Sequence, residues 1–165
     1  TGFLAEHAGV TVPMIPVRGQ ILALAAPAGG LRHIVWGAGA YLVPKLEGSV
    51  VVGATEELVG FDRRTTAAGL AGLLAAAPQL VPALAEATFL RAWAGLRPAT
   101  PDRWPVIGPC PTVEGLIVAA GHFRNGVLLS PLTGEVVAQI VLEGKVPEWL
   151  VPFSPARFAG ASPGR

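Results

Sequence analysis

The chain has 165 residues, a length that fits one domain with a small appendage and suffices to bury a core. Hydrophobic residues make up 52% and charged residues only 14%, against about 25% charged in an average soluble domain, so some apolar surface is expected to meet a partner. A net charge of +1, with basic residues scattered singly apart from Arg63 and Arg64, excludes a nucleic-acid role, and the lone Cys110 excludes an internal disulfide or a cysteine-rich metal site.

In chain order, Phe3 to Ala8 reads as a short helix stopped by Gly9, and Val12 to Ala25, broken by Pro13, Pro16 and Gly19, as extended chain. Leu31 to Trp36, Ala40 to Leu46 and Ser49 to Ala54 are short runs rich in Val, Ile, Leu and Tyr, the last two forming a hairpin around Glu47-Gly48. Thr65 and Thr66 are placed to cap a helix over Ala67 to Ala77, with Pro78 ending it. Ala87 to Leu96 reads as a strand, Arg97 to Pro105 as a proline-stiffened loop, and Gly115 to Ala120 as a second apolar strand. From Val127 the pattern is helical to Glu143, with Pro131 in the first turns and Gly144 as the stop. The tail from Pro152 is rich in Pro, Gly, Ala and Ser and is expected to be loose.

This order implies an α+β fold: a mainly antiparallel sheet with a helix, followed by a strand and helix with the character of a parallel βα unit whose neighbours lie elsewhere. No uncharged apolar run reaches the roughly 18 residues of a spanning helix, since Glu135 and Gln139 interrupt Val127 to Leu142, so no membrane is expected. The N-terminus, without an initiator Met or a leader pattern, suggests that polypeptide precedes Thr1.

Three constellations carry chemistry. Trp93-Ala-Gly-Leu-Arg97-Pro-Ala-Thr-Pro-Asp102 fixes a guanidinium at the end of an apolar strand, where its planar fork suits a carboxylate; an ion pair with Asp102 is the alternative. Gly121-His122-Phe123-Arg124-Asn125-Gly126 is a strand-to-helix turn able to present backbone N–H groups to an electron-rich acceptor, or a plain βα turn. Trp36 to Lys45 carries Tyr41, the only tyrosine, whose phenol can donate to a carboxylate or simply pack. His7, His33 and His122 lack ligand spacing, so no metal is expected, and Cys110 reads as a small buried apolar residue.

Taken together, Pro16-Val-Arg-Gly-Gln20, Tyr41-Leu-Val-Pro-Lys45, Val52-Gly-Ala-Thr-Glu-Glu57, Gly60-Phe-Asp62, Trp93 to Pro98, Pro105-Val-Ile-Gly108 and Gly121 to Gly126 resemble the glycine-oxidizing flavoenzymes of thiamine biosynthesis, in the D-amino acid oxidase family. The resemblance runs from about Pro13 to Phe153. It implies noncovalent FAD, and the Gly-x-Gly-x-x-Gly that grips its pyrophosphate is not in this sequence: Gly37-Ala-Gly39 lacks the third glycine and precedes a strand. It implies further that Arg97 holds a small amino acid by its carboxylate, with Tyr41 as a second carboxylate contact and Arg124 in the motif lining the flavin's substrate side. Gly121, His122, Phe123, Arg124, Asn125, Gly126, Val127 and Leu128 would face the flavin, with no side chain acting as catalytic base. Hydride would pass from the α carbon to the flavin and dioxygen would yield hydrogen peroxide. Glu56 would lie near the substrate. By this pattern 1–12 is a remnant of the FAD-binding domain, 13–104 the substrate-binding sheet, 105–150 a return to the FAD-binding domain and 151–165 a flexible tail. The expected setting is cytoplasmic, with an N-terminal FAD-binding half as partner and a homo-oligomer allowed. The competing readings are a noncatalytic fragment or split subunit docking on a nucleotide-binding partner, and an amino acid dehydrogenase of the same superfamily.

Overall fold

The computed structural model describes residues 2–26 and 30–158. Its elements in chain order are α1 (Gly2–His7), β1 (Ile15–Ala25), β2 (Val35–Gly37), β3 (Ala40–Pro44), β4 (Ser49–Gly53), α2 (Ala67–Leu80), β5 (Phe89–Ala99), β6 (Val106–Pro109), β7 (Ile117–Ala120) and α3 (Gly126–Glu143), with short 3-10 helices at Pro82–Glu86, Glu148–Phe153 and Pro155–Phe158. The chain divides into two compact units, one of Val17–Leu96 and one of Thr1–Pro16 with Arg97–Arg165.

The first unit is built on a five-stranded sheet in the order β2-β3-β4-β1-β5. The pairs β2/β3, β3/β4 and β1/β4 are antiparallel, as the alternation of the sequence implies. Ala38 and Gly39, with φ of 48° and 74°, make the tight turn that joins β2 to β3. Gly48, at φ 83°, serves the β3 to β4 hairpin expected at Glu47-Gly48. One face of the sheet buries Leu22, Leu24, Leu42, Val50 and Val52 against Leu73, Ala76 and Ala77 of α2.

The N-terminus of α2 is fixed by a buried polar cluster made from three of the sequence motifs. Gln20, fully buried, donates through its amide nitrogen to Glu57 Oε1 (2.7 Å) and Thr66 Oγ1 (3.0 Å), and its amide oxygen accepts from the Thr66 backbone N–H (2.7 Å). Thr66 in turn caps the helix, its hydroxyl accepting from the Gly69 N–H. Arg18, also buried, pairs with Glu57 and with Asp62 (3.1 Å) and donates to the Arg64 carbonyl (3.0 Å). Each polar group of the cluster is answered by another, which is the condition for burying charge at all.

In the second unit β6 and β7 form an antiparallel ladder from Val106↔Ala120 to Pro109↔Ile117. Ala5, Val10 and Val12 pack on Val106, Val118 and Ala120 on one side, with Cys110 buried among them as expected. Val136 and Ile140 of α3 pack with Ile107 and Leu150 in a further core. Gly144, at φ 67°, ends α3 in the left-handed conformation, its N–H bonding the Ile140 carbonyl.

Several expectations need correction. Leu31 to Ile34 lies outside the strands and β2 is only Val35–Gly37. Pro78 does not end α2, which runs to Leu80: a proline lacks one N–H and crowds the turn before it, but the Val81 N–H still closes the last turn on the Ala77 carbonyl. Arg97 lies within β5 rather than in a loop, and Pro98 beside it is tolerated because β5 is an edge strand, where a missing N–H costs no ladder bond. Val106–Pro109 is a strand, and the final strand β7 pairs antiparallel with it. The chain after Pro152 is ordered in 3-10 turns as far as Phe158, because Arg157 donates to Asp102, to the Trp104 carbonyl (2.8 Å) and to the Phe153 carbonyl (2.8 Å); residues 159–165 lie outside the described part. Finally, α3 is long and apolar enough to cross a membrane by length and composition, since Glu135 and Glu143 are its only charges.

Candidate active site

The expected site residues fall on both units, and each group is described within its own. Tyr41, the second residue of β3, is half-buried and lies between two cross-strand neighbours. Trp36 faces it from β2, ring centroids 5.4 Å apart, and Gly53 pairs with it from β4. A Cβ on Gly53 would stand 2.6 Å from the Tyr41 hydroxyl, so the glycine is the space that the phenol occupies. Glu56, four residues beyond β4's Val52, is exposed, while Glu57 is bound to Arg18.

In the other unit Arg97, half-buried, is carried near the end of β5. Immediately after it, the Pro98 carbonyl accepts a hydrogen bond of 2.9 Å from the Phe123 N–H. The two stretches singled out for carboxylate binding and for backbone presentation are thus joined by a direct main-chain bond. Asp102 is engaged by Arg157 (2.8 Å), the Thr100 hydroxyl (2.8 Å) and the Trp104 N–H (3.0 Å). Arg157's guanidinium, foremost, holds the Asp102 carboxyl below its usual range, at about 2.

The turn from Gly121 to Gly126 is built on unusual backbone. Gly121 has φ 75°, and a Cβ there would meet the Thr100 methyl at 2.8 Å. Phe123 is left-handed at φ 50°, a conformation costly for a side-chain-bearing residue and concentrated at functional sites. The Arg103 guanidinium lies 5.3 Å from the centre of the Phe123 ring. His122 Nε2 lies 3.0 Å from Thr133 Oγ1, and burial pushes the imidazole pKa down, toward the neutral form. Arg124 is exposed at the crest of the turn.

Asn125 is the N-cap of α3 but makes no side-chain bond to the first turn, leaving that work to other groups. Val127 and Leu128, which follow, are 91% and 77% exposed. The sequence passed over Thr100, Pro98 and Thr133, because a carbonyl acceptor and a hydroxyl eleven residues from its partner leave no motif. An apolar cavity of about 90 Å³ beside the turn, lined by Pro105, Ile107, Leu129, Thr133, Val136 and Phe153, was equally invisible.

Residues 1–140 match the family model described as DAO, FAD dependent oxidoreductase. The chain belongs to this family. Within it, the glycine oxidase of Geobacillus kaustophilus is 41% identical over 158 residues, covering 95% of this chain and 42% of that protein. The bifunctional protein ThiO/ThiG of Synechocystis is 41% identical, over 89% of this chain and 23% of that protein. The crystal structure of the Geobacillus kaustophilus glycine oxidase superposes with a TM-score of 0.85 at 42% identity, covering 93% of this chain and 42% of the solved one. The chain therefore spans less than half the length of these relatives. For an FAD family, the donor set of the turn fits the group: an 18-residue helix whose N-cap side chain leaves the first N–H groups open, next to exposed aliphatic side chains suited to a flat apolar ring.

Proposed function

We propose that this chain supplies the substrate-binding sheet and the flavin-facing turn of an FAD-dependent oxidase that deaminates glycine or a similarly small amino acid. The bond from Phe123 N–H to the Pro98 carbonyl carries the reading, because it ties the residue next to Arg97 to the turn that would face the ring. When bound, FAD would supply the redox chemistry, accepting two electrons from the substrate's α C–H and passing them to dioxygen.

The chain's own work is position and field. Arg97 would take the substrate carboxylate in a two-pronged hydrogen bond, fixing the direction of the α C–H. Tyr41 would be the second carboxylate donor and Arg124 would border the substrate side. The backbone of Gly121, His122, Phe123, Arg124, Asn125, Gly126, Val127 and Leu128 would face the ring, and its N–H groups other than those of Phe123 and Asn125, which the Pro98 and His122 carbonyls take, would at the positive end of α3 favour negative charge building there. No carboxylate or imidazole is assigned as base. Glu56 is left without a role.

By the same reading, 13–104 is the substrate sheet, 105–150 returns to the FAD-binding domain and the nucleotide fingerprint belongs to polypeptide outside this chain. The exposed aliphatic face of α3 would meet that polypeptide, as a partner surface rather than a membrane span. The resemblance of the sequence motifs supports a link to thiamine thiazole formation, and the compartment would be the cytoplasm.

The test is to load the complete polypeptide with FAD and follow peroxide with glycine, sarcosine and small D-amino acids. A yellow protein that makes peroxide from glycine supports the oxidase. Reduction of a dye without peroxide would replace it with a dehydrogenase. A colourless protein with neither activity would leave the fragment reading.

A further inference from the structure

We infer that His122 and Thr133 form a latch that holds the Gly121–Gly126 turn in its strained shape, making both positioning residues for the backbone that faces the flavin. The inference rests on the oxidase reading but concerns residues that need not touch substrate.

A turn with Phe123 at φ 50° relaxes unless its surroundings over-determine it. Four contacts do so. On the strand side, Phe123 N–H is tied to Pro98 O at 2.9 Å, and Gly121 packs so closely on Thr100 that it has no room for a Cβ. Within the turn, Asn125 N–H bonds the His122 carbonyl at 2.9 Å. On the helix side, where Asn125 provides no side-chain cap, His122 reaches two turns along α3 to the Thr133 hydroxyl at 3.0 Å. That bond ties the middle of the turn to the body of the helix, so the first N–H groups of α3 and the turn's own N–H groups keep one fixed relation.

The setting strengthens the bond. Thr133 stands on the wall of an apolar cavity beside Leu129 and Val136, where water competes poorly for the hydroxyl. Burial favours the neutral imidazole, and a neutral ring can bond the hydroxyl whichever of the two groups donates.

The experiment compares Thr133→Val, Thr133→Ser and His122→Phe in the complete FAD-loaded protein. Valine keeps the size of threonine and deletes only the hydroxyl; serine keeps the hydroxyl. FAD dissociation constant, visible flavin spectrum, thermal midpoint, and KM and kcat for glycine are read for each. The latch predicts that T133V and H122F raise the FAD dissociation constant about three- to tenfold, the worth of one net hydrogen bond, and shift the flavin band. They should lower kcat more than they raise KM, with T133S restored to wild type. Unchanged affinity and spectrum in T133V, or a T133S as impaired as T133V, overturns the latch while the oxidase stands. A wild-type protein that neither binds FAD nor oxidises glycine instead removes the reading beneath it.

Discussion

At the scale of single residues, the polar side chains that look catalytic in a list are mostly structural, and geometry separates them. Asp102 shares a motif with Arg97 but is held by Arg157, Thr100 and Trp104, in a clasp that orders the chain after Pro152. Because its pKa is depressed from 3.8 to about 2, the clasp contributes stability in full above pH 4 and loses it as pH falls toward 2. Asp102→Asn should lower stability at neutral pH by about 1 to 2 kcal/mol, discounted for partial exposure, and remove that part of the acid dependence. Thermal midpoints recorded against pH check both. A second residue-scale prediction concerns Tyr41: Gly53→Ala puts a methyl where the phenol lies and should raise KM for glycine severalfold, with a smaller change in thermal midpoint.

At the scale of elements, α2 shows where propensity and packing disagree. Gly69 and Gly72 both lie inside the helix, where alanine is preferred by about 1 kcal/mol. Nothing lies within 4 Å of a Cβ on Gly72, so Gly72→Ala should stabilise by about 0.5 to 1 kcal/mol. A Cβ on Gly69 would come within 2.3 Å of the Gln20 amide, which is locked in the Arg18 and Glu57 cluster, so Gly69→Ala should destabilise by about 1 to 3 kcal/mol. Opposite signs from the same substitution in one helix, read by thermal melting, test whether that cluster is rigid. The elements themselves were largely legible, because hydrophobic alternation, Thr66 and Gly144 are local signals. What failed depended on surroundings that residue type does not announce: Pro78 stays helical because the turn that holds it is closed by the Val81 N–H, and Pro98 stays in a strand because the strand is at an edge. The site divides the same way. Arg97 and the Gly121 turn stood out by residue type, but the main-chain bond between them, the Thr133 contact and the purpose of Arg18 and Gln20 exist only in three dimensions.

At the scale of the whole molecule, the apolar composition finds its explanation in α3. The helix buries Val136 and Ile140 and leaves Val127, Leu128, Leu132, Val141 and Leu142 exposed, an apolar surface that a soluble protein covers. On the proposed reading an FAD-binding polypeptide covers it, and co-expression with such a half should raise solubility and thermal midpoint together. The claim on which the account turns is that Arg97 grips a carboxylate beneath the flavin. Its most direct measurement is a spectral titration of the complete FAD-loaded protein with glycolate, a carboxylate that has no amine to oxidise, in wild type and Arg97→Ala. The account predicts a saturable shift of the flavin band whose dissociation constant rises at least about thirtyfold in the variant, the low end of truncating a buried charge pair. Equal dissociation constants in the two proteins would contradict it.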